Sequence, residues 1–433
     1  MDTEKPKLTA WQLLGLVILI VVSLICMWGM YIRVTEGLMP TNLTQHVPWG
    51  LWVAVYIYFI GLSAGSFLLS TMIYVFGVKK MEPIGPLALT QAFICLTLGG
   101  LAIAVDLGHP ERMLYVVSNG SRTSVLAWEC YFYMFYAVII LAELWIVLRA
   151  PLARWASERR WGWQLYKLIA MGEEQPSASW TKKAHYWMFM LGVIGIPCAF
   201  GVHGGTGSIF AVVKARDFWF GGLFPIIFLI SALVSGGGLL TFLTATFVDI
   251  PKEQKRELVM LLARLTMGIL AFDIVLHSSE LLVTFYGQIP EETGTWQTIL
   301  YGPYFYVFWF LEVGLGMVIP VIIVAMPATG RSVKWLGFAG LCVVIGMIGT
   351  RLNIVIPALF FPVFEEWGDP RTQQYGTAFP ENIRWSLGYH PSLNEYIVGA
   401  AVVVLGIWLF ILAFRMLPLR GEIEKMEGLG GSH

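Results

Sequence analysis

Acids and imidazoles recur inside the most apolar stretches of this sequence, and three of them share a helical spacing. Asp273, His277 and Glu280 stand at i, i+4 and i+7, which on a helix places all three on one stripe. Ionisable groups are expensive in an apolar surrounding and are functional candidates for that reason. The stripe reads as a proton path or the wall of a polar pocket, with Glu312 on a following apolar segment as its continuation. A mutually satisfied cluster that fixes helix packing is the competing reading.

A second set collects toward one end of the apolar segments: His46, Asp106, His109, Glu129, His203 and Arg351. Around Glu129 the chain supplies Trp128, Tyr131, Tyr133 and Tyr136, so apolar walls and a few polar groups can converge, as in most small-molecule sites. A quinone suits such a place. Its ring stacks on aromatics, its tail extends into lipid, and its two oxygens need partners able to give or take protons. Carboxyls shielded from water, such as Glu129 and Asp106, are the natural candidates for that exchange. A haem held between His203 and His277 is a weaker alternative, because a lone His on each of two helices is more often a hydrogen-bonded core residue.

The elements that must position these groups follow from composition. Charged residues make up 13% of the 433 residues and hydrophobic ones 57%, against about 25% charged in soluble domains, and the mean hydropathy is +0.70. Lipid must therefore cover most of the surface. Ten apolar runs of membrane-crossing length centre on residues 11–31, 50–76, 87–105, 124–148, 185–203, 218–248, 259–286, 301–326, 333–355 and 396–416. The first is too long for a signal-peptide core and lacks a cleavage site, so it is read as a span.

Of the 28 Lys and Arg, 19 fall on the side of the N-terminus and eight on the other, with Arg264 inside a span. The positive-inside rule then puts both termini in the cytoplasm. Formal net charge is zero, which offers nothing to nucleic acid. The five cysteines are scattered singly, with no Cys-x-x-Cys, so neither an iron–sulfur cluster nor a disulfide framework is encoded.

Gly61-Leu-Ser-Ala-Gly-Ser-Phe-Leu-Leu69 in the second span aligns with Ala232-Leu-Val-Ser-Gly-Gly-Gly-Leu-Leu240 in the sixth. Four spans separate their starts, so the two copies share one orientation. The expected architecture is an all-α integral membrane protein of about ten transmembrane helices, two four-helix bundles plus two flanking helices. Its parts are an N-terminal segment with the first helix (1–48), a first bundle (49–204), a second bundle (205–355), and an outer loop with the last helix and tail (356–433).

Three motifs in these segments carry a family likeness. The stretch His46-Val-Pro-Trp-Gly-Leu-Trp through Gly65, the turn Asp106-Leu-Gly-His-Pro-Glu-Arg112, and Ser124-Val-Leu-Ala-Trp-Glu129 resemble the NrfD/PsrC family of quinone-interacting membrane subunits, over residues 45 to 416. Ten spans and the Pro-Trp-Gly opening resemble the branch of sulfite-reduction-associated complexes and alternative complex III. The resemblance implies menaquinone or ubiquinone as substrate near the outer face of a prokaryotic cytoplasmic (inner) membrane. It also implies an iron–sulfur, ferredoxin-like partner subunit and a further molybdopterin, cytochrome c or other catalytic subunit.

On that likeness the quinone site comprises His46, Trp49, Tyr56, Asp106, His109, Trp128, Glu129, Tyr133, His203 and Arg351, with Asp273, His277, Glu280 and Glu312 as proton path. In the polysulfide reductase branch a His and an Asn on the second helix contact quinone, whereas this chain has Tyr56 and Val53 there. The expected function is exchange of electrons between the quinone pool and the iron–sulfur partner, with or without proton translocation. No haem or cluster is expected on this chain, which is not catalytic alone. A secondary transporter, for which Gly236 to Gly238 is the best feature, and a passive membrane anchor are the alternatives.

Overall fold

The computed structural model describes residues 9–44, 47–160, 162–172, 178–360 and 388–421. Hydrocarbon offers backbone groups no partner, so apolar runs of this length close their own hydrogen bonds as helices. Ten of the described helices are long and apolar enough to cross a membrane, and among the described residues there is no strand. They are α1 (Ala10–Glu36), α2 (Leu51–Tyr74), α3 (Gly85–Asp106), α4 (Val125–Ser157), α5 (Ala178–Ala211), α6 (Phe224–Phe247), α7 (Lys252–Gly287), α8 (Val307–Ala325), α9 (Val333–Val355) and α10 (Leu393–Met416). The chain is a multi-pass membrane protein.

Helix α2 is the hub. It packs against α3, α5, α6, α9 and α10, while α1 lies outside against α10 and turns an apolar face outward. The glycine stretches of α2 and α6 meet each other at aligned positions. A Cβ on Gly65 would stand 2.7 Å from the Gly236 Cα and 2.8 Å from the Ala232 carbonyl oxygen, so only hydrogen fits, and the two backbones touch as small residues allow. Gly65→Ala is expected to cost about 1–3 kcal/mol by forcing backbone apart. Gly236→Ala added to it should cost less than it does alone, because the helices are already separated; thermal unfolding in detergent of both singles and the double checks this.

Two elements depart from the sequence reading. The apolar run expected over 124–148 is longer as a helix, since α4 continues through Pro151 to Ser157. Arg149 is buried there because aromatic faces cover its charge, with the guanidinium 4.0 Å from the Trp180 ring centroid and 5.2 Å from that of Trp145. The second departure is in α8, which winds as a π-helix over Val307–Val318, so that the Ile319 N–H reaches back five residues to the Gly314 carbonyl. Such windings concentrate at functional sites, and this one carries Glu312. Gly349 of α9 allows the close approach, since a Cβ there would stand 2.9 Å from the Glu312 backbone nitrogen.

Candidate functional site: a lipid-side cavity with two carboxyls

The ends of α2 and α3 are pinned before any site is built. Arg33 of α1 donates from Nε to the Val105 carbonyl (2.7 Å) and from Nη2 to the Leu107 carbonyl (2.6 Å). Those are carbonyls that a helix C-terminus leaves without partners. At the start of α2 the Leu51 N–H donates to the Tyr389 hydroxyl at 3.0 Å, Tyr389 donates to Glu395, and Trp52 Nε1 donates to the Glu395 carbonyl at 2.9 Å. Gly50 is required here, because a Cβ would run into that tyrosine ring. Trp49 is thereby set beside Phe210 and Trp219, with ring centroids at 5.3 and 5.8 Å.

Between these ends lies a cavity of about 240 Å³. Trp49, Val53 and Tyr56 line it from α2 and its lead-in, Gly100, Ile103 and Asp106 from α3, Glu129, Cys130 and Tyr133 from α4, and Thr206, Ile209 and Phe210 from α5. Leu114, Leu126 and Met134 also line it and are exposed on the apolar surface, so the cavity opens sideways toward lipid. Sites that enclose a whole drug-sized ligand run roughly 300–1,000 Å³. A smaller space fits a ring whose tail stays outside.

Glu129 is 4% exposed and held from two helices. Tyr56 and Thr206 both donate to its Oε1, the latter at 2.5 Å. Both bonds fall on one oxygen, and the residue lines the cavity. Asp106 adds a buried Oδ1 with no hydrogen-bond partner among the described residues, and a buried polar atom left so costs about 1–3 kcal/mol unless something in the cavity satisfies it. Tyr133 donates its hydroxyl to the Leu96 carbonyl and offers the cavity its ring.

The other residues singled out in the sequence lie elsewhere. His109 is exposed with Nδ1 2.9 Å from Glu111 Oε1, because the turn after α3 carries it past the cavity. Trp128 points away from the wall and donates Nε1 to the Arg122 carbonyl at 2.7 Å. His203, one turn before Thr206 on α5, is 1% exposed and stands edge-on to Tyr136, with neither ring nitrogen hydrogen-bonded among the described residues. His46 lies outside the described residues. The described imidazoles therefore do not line the cavity, whereas the two carboxyls do.

Arg351, also 1% exposed, lies between the helices, not on the cavity wall. Its Nη2 donates to Ser231 Oγ at 2.8 Å and its guanidinium sits 5.4 Å from the Phe228 ring centroid. It is within electrostatic reach of Asp273 and Glu312. His277 of the Asp273 stripe places Nδ1 3.0 Å from the Asp273 carbonyl and 3.7 Å from its carboxyl. Asn353 donates to Glu312 at 2.6 Å. His277, Glu280 and Glu312 together line a second, smaller cavity of about 30 Å³. Thr206 and Asn353, the hydroxyl and amide that orient the two buried glutamates, carry no sequence signal of their own.

Residues 40–363 match the family described as polysulphide reductase, NrfD. The chain belongs to the NrfD family. Among its relatives is a selenate reductase subunit of Mesobacillus selenatarsenatis, 38% identical over 416 residues, which is 95% of each chain. The Hdr-like menaquinol oxidoreductase integral membrane subunit of Archaeoglobus fulgidus is 27% identical over 99% of this chain and 100% of its own length. The menaquinone reductase integral membrane subunit of Nitratidesulfovibrio vulgaris is 21% identical over 90% and 88%. The family match takes in both cavities and the carboxyls that line them.

Proposed function

We propose that this NrfD-family chain is the quinone-interacting membrane subunit of a respiratory redox complex, and that the quinone head enters the cavity walled by Trp49, Tyr56 and Tyr133. The observation that carries this reading is an Asp106 oxygen without a partner among the described residues, set with Glu129 on the wall of a lipid-open aromatic cavity. Relatives named for menaquinol and menaquinone chemistry over nearly their whole length support it.

Oxidation of a quinol releases two electrons and two protons, and reduction takes them up. The cavity residues of this chain have the means to handle the protons. Glu129, oriented by Tyr56 and Thr206, and Asp106 each present a carboxyl oxygen to the ring's oxygens, and a positioned acid or base of this kind contributes about 10²- to 10⁴-fold to proton transfer. Trp49 and Tyr133 orient the ring. The electrons pass directly to or from an iron–sulfur partner subunit docked near this end of the bundle, in a complex that includes a further catalytic subunit. The Lys and Arg distribution supports placing both termini in the cytoplasm, which sets the cavity near the outer face of a prokaryotic cytoplasmic membrane. Asp273, His277, Glu280 and Glu312 form a proton path in the second half of the chain.

Adding a quinol analogue to the purified complex and following the partner's clusters by electron paramagnetic resonance tests this reading. Redox exchange blocked by a quinone-site inhibitor is expected, and clusters that never respond to quinone or quinol would contradict it. Tyr56→Phe removes one of the two donors to Glu129. A bond to a charged acceptor is worth about 1.5 kcal/mol or more, so turnover should fall roughly tenfold while quinone titrates the complex at unchanged stoichiometry.

A further inference from the structure

We infer that the small cavity in the second half of the chain is a twin of the quinone cavity, refilled by bulky side chains so that it takes water in place of a ring. The inference rests on the quinone reading of the first cavity. The register that brings Gly65 against Gly236 pairs Val53 with Phe224 and Tyr56 with Ile227. Both partners line the second cavity, as Val53 and Tyr56 line the first.

The remaining helices correspond in the same way. In the first cavity a glutamate on α4 accepts a hydrogen bond from Thr206 on α5; in the second, a glutamate on α8 accepts one from Asn353 on α9. In the first the other carboxyl, Asp106, comes from α3, and in the second Glu280 comes from α7. The two sites thus each draw a carboxyl pair from corresponding helices, while their volumes differ from about 240 to about 30 Å³. Phenylalanine stands in place of valine, and Trp296 and Phe308 add bulk to the same wall, although Ile227 is smaller than Tyr56.

A space of 30 Å³ excludes a quinone ring yet exceeds the roughly 10–15 Å³ that one water needs. A water also needs two to four polar partners, and His277, Glu280, Glu312 and Asn353 supply them. The carboxyls of the twin therefore exchange protons with water and not with a ring.

The test uses the purified complex and an azidoquinone carrying a short alkyl tail, with labelled peptides identified by mass spectrometry. Wild type should label the first cavity alone, and the double variant Phe224→Val, Phe308→Ala should label residues 218–228 or 350–354 as well, a change from one site to two. Label in the second cavity of wild type, or none there in an assembled variant, overturns the inference. If the variant fails to assemble, a high-resolution map of the wild-type complex decides. Water density touching Glu280, His277 or Glu312 supports the twin, and an empty or ring-filled space refutes it. Absence of label from the first cavity would instead strike the proposed quinone site, so the two failures are distinguishable.

Discussion

Glu129→Gln should lower quinol-linked turnover of the assembled complex by about 10²- to 10⁴-fold, the range for losing a positioned acid or base. Glutamine keeps the side chain's length and still offers an oxygen to Tyr56 and Thr206, so the wall of the cavity and the fold around it should survive. What it loses is the ability to take up or release a proton. Steady-state turnover with a soluble quinol analogue, beside a gel-filtration check of assembly, measures the effect. Wild-type turnover in the variant would remove Glu129 from the chemistry, and a variant that fails only in assembly would reassign it to packing.

The second large effect is expected at Arg351. Its guanidinium is a cation buried within electrostatic reach of Asp273 and Glu312, and an uncompensated charge inside a membrane-spanning bundle costs up to about 2.5–3.5 kcal/mol on insertion scales. Removing one partner of a buried charge set costs about 3–5 kcal/mol for the same reason. Arg351→Leu should therefore lower thermal stability in detergent by several degrees or prevent assembly. Adding Asp273→Asn and Glu312→Gln should recover most of the loss, because the two carboxylates that faced Arg351 are then neutral. A triple variant no more stable than Arg351→Leu alone would show that Arg351 acts by packing against Phe228 and Ser231 instead.

What the sequence made legible divides along physical lines. Position along a helix is legible in the sequence, because a carboxyl inside an apolar run lies at a definite distance from the run's ends, and Asp106 and Glu129 both line the same cavity. Direction around the helix axis is not, since a hydrophobic helix buried among others shows no polar face. His203 and Arg351 belong to the same set as Glu129 but turn toward Tyr136 and Ser231. His109 fails for a different reason, being carried into solvent by the turn that follows Asp106.

Close contact between α2 and α6 is legible in their aligned glycine stretches, because such contact tolerates only small residues, and the two meet at Gly65 and Gly236. The partners of the buried glutamates are not, since Thr206 and Asn353 look like any polar residue tolerated in a bundle. Nor is the π-winding of α8, which changes the aim of Glu312 without changing the composition of the segment.

A cryo-electron microscopy map of the intact complex with a quinone analogue bound tests the quinone site most directly. Ring density between Trp49 and Tyr133, with an oxygen in hydrogen-bond reach of Glu129 or Asp106, is the expected result. A ring seated elsewhere, with lipid chains filling this cavity, would contradict it.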